Sequence, residues 1–235
     1  MNISDSVKLL LTQIPRLNRS TLRGFLLLRK NKSYIGTLLP NNPIIVEAGA
    51  HTGTDTVDMA NRWPNAQIHA FEPVPSLFKI LTKNTSHFPN VIRHQLALSD
   101  KTGSSTMHIS EGSSDASSSL LEPKDHLKIH PTVTFDKEIT VKTVTLDKWA
   151  NDNQIKRIDF MWLDMQGMEL RMLKKSRIVF PSVGLLYTEI NLTENYSGTS
   201  LYPEYKKWLH SHEMELLVEN TYWNDMGNAL FIRRK

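Results

Sequence analysis

Carboxylates end four short hydrophobic segments of this 235-residue chain. Glu47 follows Ile-Ile-Val, Glu72 follows Ile-His-Ala-Phe, Asp164 follows Phe-Met-Trp-Leu, and Glu189 follows Leu-Leu-Tyr-Thr. Apolar runs of this length are typical of buried strands, and an open parallel sheet binds ligands beyond the carboxyl ends of its strands. One such acid alone can simply cap a loop by accepting backbone N–H bonds. Four together predict a single crevice in which carboxylates bind hydroxyls or take protons.

The loop after the first segment carries two glycines, Gly49 and Gly53, in a G-x-x-x-G spacing. Small residues let a backbone approach a ligand, and the next helix, which Thr54 is expected to cap, offers free N–H groups. The loop lacks the lysine of a P-loop, and His51 breaks the G-x-G-x-x-G of dinucleotide folds. The remaining acid-x-G-x-x-x-G pattern is typical of loops that hold the amino-acid part of S-adenosylmethionine (AdoMet). Glu72, after the second strand, is placed to accept both ribose hydroxyls.

Alternating apolar runs and amphipathic stretches from Pro43 onward predict βαβ units around a parallel sheet. The expected strands are 44–47, 67–72, 91–98, 159–164 and 183–190, with a terminal hairpin from 215–219 and 229–233. The expected helices are 54–62, 76–84 (capped by Ser76), 168–174 and 201–212. Residues 99–145 interrupt this rhythm with extra strands expected at 106–109 and 139–144. The serine-rich loop, residues 110–119, is either a solvated loop or a lid ordered by a ligand.

Composition narrows the class of protein further. The absence of cysteine removes disulfides, iron–sulfur clusters and thiol nucleophiles, and argues against a secreted protein. No run approaches the roughly 18 apolar residues of a membrane span. The net charge of +4 hides an asymmetry, because residues 1–42 hold seven basic groups and one acid. A nucleic-acid-binding domain usually spreads a basic face over its folded surface, so we expect no nucleic-acid partner. The lack of cysteines and of a membrane span favours a cytoplasmic location.

Residues 1–42 are predicted to form a basic helical N-terminal arm, with helices near 7–14 and 21–29. Three interpretations stay open for it. The arm covers the main domain or helps it to form a homodimer, or it is a basic surface helix that touches a membrane or an anionic substrate, or it is an organellar transit segment. The main domain is expected to span 43–235, with an insertion at about 99–145.

Several motifs match one known family in order along residues 43–233. They are Val46–Gly53, Ala70–Pro73, Ala97–Asp100, Val144–Asp147, Leu163–Glu169 and Gly227–Phe231. In these segments the chain resembles the FkbM-type AdoMet-dependent methyltransferases. The resemblance implies an α/β, Rossmann-like class I methyltransferase fold with a seven-stranded, mostly parallel sheet and an antiparallel last strand. It also implies methylation of a hydroxyl, often on a sugar, glycan or polyketide-type metabolite. One departure is Gln166, which stands where this family usually has a glutamate.

The cofactor AdoMet is assigned to residues of the glycine loop and the strand ends. Glu47 is expected at its methionine end, Glu72 at its ribose, and Ala97 with Leu98 beside its adenine, while His51 packs against it. The full set predicted to bind AdoMet is Glu47, Ala48, Gly49, His51, Gly53, Thr54, Glu72, Pro73, Ala97, Leu98 and Asp164.

The two remaining strand-end acids, Asp164 and Glu189, are the predicted catalytic residues. An alcohol is a poor nucleophile because its pKa is close to that of water, about 15.7, so a base must take its proton during attack. Three roles stay open for these two acids: direct base action or acceptor positioning, the binding of a divalent cation by both of them, and a purely structural role. No metal site is assigned. Asn191, Asn195 and Tyr196 are expected on the acceptor side.

Two other functions remain possible at this stage. An NAD-dependent Rossmann oxidoreductase would also place an acid after its second strand, although the G-x-x-x-G spacing and the terminal hairpin disfavour it. A non-catalytic AdoMet-binding module would keep the same fold. For the preferred function the expected partner is a small-molecule or glycan acceptor, with specificity in residues 99–145 and 191–203.

Overall fold

The computed structural model describes residues 32–221 and 224–234. The two helices predicted near 7–14 and 21–29 therefore lie outside the described residues. The chain divides into two compact units after Leu38, and in the first unit residues 32–38 are helical. Within the described ranges, every helix is too short or too polar to cross a bilayer.

The described part of the second unit, 39–221 and 224–234, contains ten strands in two sheets. They are β1 (Ile44–Ala48), β2 (Gln67–Phe71), β3 (Val91–His94), β4 (Ala97–Leu98), β5 (Gly103–Gly112), β6 (Val133–Val144), β7 (Phe160–Leu163), β8 (Leu185–Asn191), β9 (Met214–Asn220) and β10 (Met226–Arg233). The main sheet has the order β3-β2-β1-β7-β8-β10-β9. β10 runs antiparallel to both neighbours, and the other pairs are parallel. The predicted seven-stranded sheet with an antiparallel last strand is confirmed.

The described helices of the second unit lie between its strands. They are α1 (Thr54–Arg62), α2 (Pro75–Asn84), α3 (His126–Ile129), α4 (Leu146–Asp152), α5 (Glu169–Leu173) and α6 (Tyr202–Ser211). Two predicted caps are wrong. α1 has Gly53 as its N-cap, so Thr54 is already helical, and α2 has Val74 as its N-cap, so Ser76 is inside the helix. Pro75 suits the first helical position because it lacks an N–H that would have no partner there.

The single strand predicted over 91–98 is also wrong. The chain leaves the main sheet after β3, and β4 joins a second sheet of order β4-β6-β5. Ala97 and Leu98 pair there with Thr143 and Val144. A separate apolar cluster, formed by Val74, Leu77, Ala97, Met107 and Val141, stabilises this arrangement. Hydrophobic periodicity does not distinguish the two sheets, because each buries apolar residues of the stretch 91–98: Val91 in the main sheet, and Ala97 with Leu98 in the second.

The central strands are buried on both faces. Every residue of β7 and of β8 is buried, as expected for parallel strands that helices cover on both sides. Trp149 and Trp162 also lie in this interior. A polar group at the end of such a strand is therefore held in a rigid position at the edge of the sheet.

Two core histidines, His69 on β2 and His94 on β3, lie side by side. The His69 Nδ1 atom is 3.0 Å from the His94 Nε2 atom, and both rings contact Trp149. The pKa of each histidine is lowered to about 4. Burial is the cause for His94, and burial together with the charge of His94 is the cause for His69. Their ordinary pKa is 6.5, so the unfolded chain takes up protons first as the pH falls. Their contribution to stability is complete above about pH 6.5 and is lost towards pH 4.

We expect the wild-type protein to have a larger free energy of unfolding than a His94→Gln variant, and the difference should be greatest above pH 6.5. The difference should shrink steadily between pH 6.5 and pH 4, because only the wild type must keep His94 neutral when folded. Urea titrations followed by tryptophan fluorescence at several pH values measure this difference, with exposed His87→Gln as the control for loss of a histidine. A difference that does not change with pH would contradict the prediction.

Candidate active site

A cavity of about 240 Å³ opens at the carboxyl ends of β1, β2 and β7. The loop between β1 and α1, the segment between β2 and α2, β4, the segment after β7 and part of the serine-rich loop form its walls. Nine of the predicted cofactor residues line it: Ala48, Gly49, His51, Thr54, Glu72, Pro73, Ala97, Leu98 and Asp164. Of the four strand-end acids that were predicted to share one crevice, Glu72 and Asp164 line this cavity, whereas Glu47 and Glu189 do not.

The glycine loop is packed closely against the neighbouring strands. Gly49 has a φ of 86°, and a Cβ atom added to it would lie 1.9 Å from the Asp164 carbonyl oxygen. The backbone N–H groups of Gly49 and Ala50 both donate to the Phe71 carbonyl oxygen, at 3.1 and 2.9 Å. Only glycine combines this left-handed conformation with this close approach. The backbone of the loop itself therefore forms a wall of the cavity.

A Gly49→Ala variant is expected to lose more than about 2 kcal/mol of stability, because it adds a backbone clash to the left-handed strain of about 1–2 kcal/mol. Gly198→Ala is a matched control. Gly198 has a φ of 77°, and the nearest atom to its added Cβ would be 3.8 Å away. The control should show the strain alone. Thermal and urea unfolding measure both variants, and equal losses would show that the clash does not matter.

Glu72 is fixed at the end of β2 by two backbone hydrogen bonds. His51 N–H donates to its Oε2 atom and Val74 N–H to its Oε1 atom, each at 2.8 Å. Burial raises the pKa of Glu72 to about 7, although both backbone bonds favour the charged form. Each carboxylate oxygen accepts more than one hydrogen bond. Glu72 therefore keeps the capacity to bind two hydroxyls from the cavity side.

Glu47 and Gly53 are the two predicted cofactor residues outside the cavity lining. The buried Glu47 Oε2 atom accepts a hydrogen bond of 2.5 Å from the Thr56 hydroxyl, which ties β1 to α1. A Cβ atom on Gly53 would lie 2.7 Å from Leu81 Cδ1, so this glycine lets α1 pack against α2. Both residues support the loop from behind in this structure, and a direct contact with the cofactor stays a prediction.

Asp164 and Glu189 are brought together by a residue that sequence reasoning did not assign. The Gln166 Nε2 atom donates to Asp164 Oδ1 at 2.7 Å and to Glu189 Oε2 at 2.8 Å. Asp164 lines the cavity, whereas Glu189 is buried behind it, with 6% of its surface exposed. The only sequence signal for Gln166 was its departure from the family pattern.

Proton uptake by this pair is unequal. Burial raises the pKa of Asp164, whereas hydrogen bonds from Gln166 and Glu189 act in the opposite direction. Burial, the charges of Asp164 and Glu169, and the hydrogen bond with Asp164 raise the pKa of Glu189 well above its ordinary value. Two adjacent carboxyl groups cannot both ionise easily. The larger upward shift belongs to Glu189, so these directions favour Glu189 over Asp164 as the first of the pair to take up a proton.

The expected acceptor-side residues do not reach the cavity in this structure. Asn191 Nδ2 donates to Glu189 Oε1 at 3.4 Å, and Asn195 Nδ2 donates to Asp225 Oδ2 at 3.0 Å. The Tyr196 hydroxyl lies 2.7 Å from the Ser117 carbonyl oxygen and 2.9 Å from Gln166 Oε1. All three residues are buried. In this structure Asn191 and Tyr196 contact Glu189 and Gln166, whereas Asn195 contacts Asp225, and a place beside the acceptor stays a prediction.

The serine-rich loop forms one side of the cavity. Asp115, Ala116 and Ser118 line it, and Asp115 Oδ1 is 3.1 Å from His51 Nε2 on the glycine loop. This placement favours the lid interpretation over a purely solvated loop. Among the described residues, no group of three or more acids and histidines is arranged to hold a metal ion.

The methyltransferase FkbM domain family matches residues 47–216. The chain belongs to this family. It is an AdoMet-dependent methyltransferase, which sets aside the NAD-dependent oxidoreductase. The match begins at Glu47 and includes every residue of the acid pair and its glutamine bridge.

Two characterised relatives carry informative names. This FkbM methyltransferase is 30% identical over 176 residues to 2-O-methyltransferase NoeI of Sinorhizobium fredii. The alignment covers 73% of this chain and 72% of the relative. The chain is also 24% identical over 149 residues to hexuronic acid methyltransferase AglP of Haloferax volcanii, and that alignment covers 63% of the chain and 56% of that relative.

Solved structures share the fold of this methyltransferase. The fibrillarin pre-rRNA processing protein of Methanococcus jannaschii superposes with a TM-score of 0.50 at 14% identity, over 83% of this chain and 68% of the other. An rRNA methylase from Streptococcus thermophilus gives 0.50 at 11% identity, over 88% and 96%. At these identities the likeness concerns the Rossmann-like α/β fold alone.

Proposed function

We propose that this methyltransferase transfers a methyl group from AdoMet to a hydroxyl of a small sugar-like, glycan or secondary-metabolite acceptor, with Asp164 taking the hydroxyl proton. One observation carries the proposal. The carboxyl group of Asp164 lies in the cavity wall, while Glu189, which Gln166 joins to it, is buried behind it. When bound, AdoMet supplies an activated methyl group whose departure leaves a neutral thioether. The protein must then orient the acceptor and take up one proton.

The cavity fits AdoMet by its shape and its chemistry. The left-handed Gly49 exposes backbone to the methionine end, and Glu72 has capacity for the two ribose hydroxyls. Ala97 and Leu98 offer an apolar surface for the adenine, with Leu77 close by in the same lining. These groups account for each part of the cofactor, from its polar end to its flat base.

Asp164 performs the proton step in this proposal. It accepts the proton that the acceptor hydroxyl loses as its oxygen bonds to the methyl carbon, so the products include a methyl ether and a protonated carboxyl group. General-base assistance of this kind typically contributes about 10²–10⁴-fold to a rate. The serine-rich loop reduces access of water to the reacting groups, because Asp115 and Ala116 cover one side of the cavity.

The charge of the cavity supports an uncharged acceptor. Its described acidic side chains are Asp55, Glu72, Asp115 and Asp164, and His51 is the one basic side chain among the described lining residues. Carboxylates repel an anionic acceptor and accept hydrogen bonds from hydroxyls. The relative named as a 2-O-methyltransferase supports transfer to an oxygen atom. The relative named as a hexuronic acid methyltransferase supports a sugar framework for the acceptor, but a hexuronic acid is anionic, so we expect this chain to differ from that relative in the charge of its acceptor. Membrane contact through the arm and dimer formation stay predictions.

A panel of matched acceptors tests this proposal. The enzyme should form S-adenosylhomocysteine faster with neutral methyl glycosides and oligosaccharides than with the corresponding uronic acids. We expect the rates to differ by about tenfold or more, because the negative charge of a uronic acid would meet an uncompensated carboxylate in the cavity. NMR of the product should show a methyl ether. Methyl esters, N-methyl products or consistent preference for the uronic acids would overturn the proposal.

A further inference from the structure

The side chain of Gln166 is buried between two carboxyl groups and a phenol. Its Nε2 atom uses both hydrogens, one towards Asp164 Oδ1 and one towards Glu189 Oε2. Its Oε1 atom lies 2.9 Å from the hydroxyl of Tyr196, which is a donor. The orientation of the amide is therefore determined, because only its nitrogen can donate to the acids and only its oxygen can accept from the phenol.

The backbone at Gln166 adds to this constraint. Gln166 has a φ of 52°, a left-handed conformation that costs a non-glycine residue about 1–2 kcal/mol. Its carbonyl oxygen accepts a hydrogen bond of 2.8 Å from the Ser119 hydroxyl, at the end of the serine-rich loop. Strained residues persist where the surrounding contacts hold them. Both the main chain and the side chain of Gln166 are thus held at the base of the cavity.

An amide differs from the usual glutamate of this family in one chemical respect. It donates two hydrogen bonds at every pH, whereas a carboxylate donates none and adds a negative charge. Charged or titratable groups face the acid pair from several elements: His51 on the glycine loop, Asp55 on α1, Glu169 on α5, and Tyr196 after β8. A further carboxylate at position 166 would add to an already acidic site.

We propose that Gln166 is a positioning residue for methyl transfer: it orients Asp164 towards the cavity and keeps it ionised by donating both amide hydrogens to the acid pair. The single hydroxyl hydrogen of Tyr196 is shared between the amide oxygen of Gln166, which it thereby orients, and the Ser117 carbonyl oxygen of the serine-rich loop. This inference rests on the proposed role of Asp164 as the proton acceptor. It assigns to the glutamine a function that a glutamate cannot perform in its ionised form.

The test follows the carboxyl group of Asp164 directly, without any acceptor. In the full chain with ¹³C-labelled aspartate and glutamate, NMR titration measures the pH at which Asp164 takes up its proton, with Asp164→Asn used to assign the signal. Gln166→Glu and Gln166→Met should each move that midpoint upward by about one pH unit or more, because both remove the two donors. Gln154→Glu is the matched control, an exposed glutamine with a φ of 58° that lies outside the cavity lining. It should leave the midpoint unchanged.

The outcomes separate this inference from the proposed function. An unchanged Asp164 midpoint in folded Gln166 variants overturns the positioning role, even if Asp164→Asn abolishes methyl transfer. Full methyl transfer by Asp164→Asn instead overturns the proposed proton acceptor, whatever the titration shows. Where circular dichroism shows that both Gln166 variants are unfolded, Tyr196→Phe provides the measurement. It removes the donor that orients the amide, and an unchanged midpoint there also overturns the inference.

Discussion

Asp164→Asn is expected to fold and to bind AdoMet like the wild type, yet to transfer methyl groups at least about a hundred times more slowly. The reason is that an amide cannot accept the hydroxyl proton, while its size and hydrogen bond with Gln166 are nearly preserved. Glu189→Gln should behave differently. Burial and the neighbouring acids raise the pKa of Glu189 well above its ordinary value. A neutral amide should therefore resemble its protonated form, and turnover should fall by less than about tenfold.

Single-turnover rates with the best acceptor of the panel measure this asymmetry, and calorimetric titration with S-adenosylhomocysteine shows that each variant still binds. Asp152→Asn serves as the control for the chemical change itself, because Asp152 is an exposed residue of α4 that pairs with Lys148. Equal losses in the Asp164 and Glu189 variants would contradict the assignment of the base to one acid of the pair. A larger loss at Glu189 would exchange the two roles.

The main sheet was predictable because its central strands are buried on both faces. β8 is buried over its whole length, and such a strand appears in the sequence as an uninterrupted apolar run. Glu72 and Asp164 end or follow runs of this kind, which is why spacing alone placed them at the same edge. The glycine loop was equally predictable, because the left-handed conformation at position 49 requires a glycine, and glycine is read directly from the sequence.

The break between β3 and β4 was not predictable from periodicity. β3 and β4 lie in one short stretch, 91–98, with apolar residues at both of its ends, and only the pairing of β4 with β6 separates them. The same limit applied to Glu47. A buried acid bonded to Thr56 and an acid facing a ligand have the same local sequence pattern, and only the packing of α1 on β1 distinguishes them.

The role of Gln166 depends on contacts that are distant in sequence. Its partners Glu189 and Tyr196 come from β8 and the segment after it, and its own left-handed backbone turns the side chain towards them. No periodic pattern marks such a residue, because its neighbours in space belong to three different segments. The departure from the usual family residue was a visible signal, but its chemical meaning required the geometry of both carboxyl groups.

A Glu72→Gln variant is expected to bind AdoMet about 5- to 150-fold more weakly, the equivalent of about 1–3 kcal/mol for a lost charged acceptor. The amide nitrogen of the variant would also replace one of the two carboxylate oxygens that accept from the backbone N–H groups of His51 and Val74. One of these N–H groups would then face another donor. The wild type should in addition lose affinity as the pH falls below 7, since the pKa of Glu72 is raised to about 7 by burial and only the carboxylate accepts on both oxygens. The variant should lack this part of the pH dependence.

Calorimetry with S-adenosylhomocysteine and its 2′-deoxy analogue decides whether the ribose is the group that Glu72 binds. If it is, deletion of the hydroxyl weakens binding to the wild type but adds little in Glu72→Gln, because the two changes remove one interaction. Glu204→Gln, an exposed carboxylate paired with Lys174, controls for the loss of charge. Additive losses would place the ribose elsewhere, and Glu72 would then act only by holding the backbone of His51 and Val74 at the edge of the cavity.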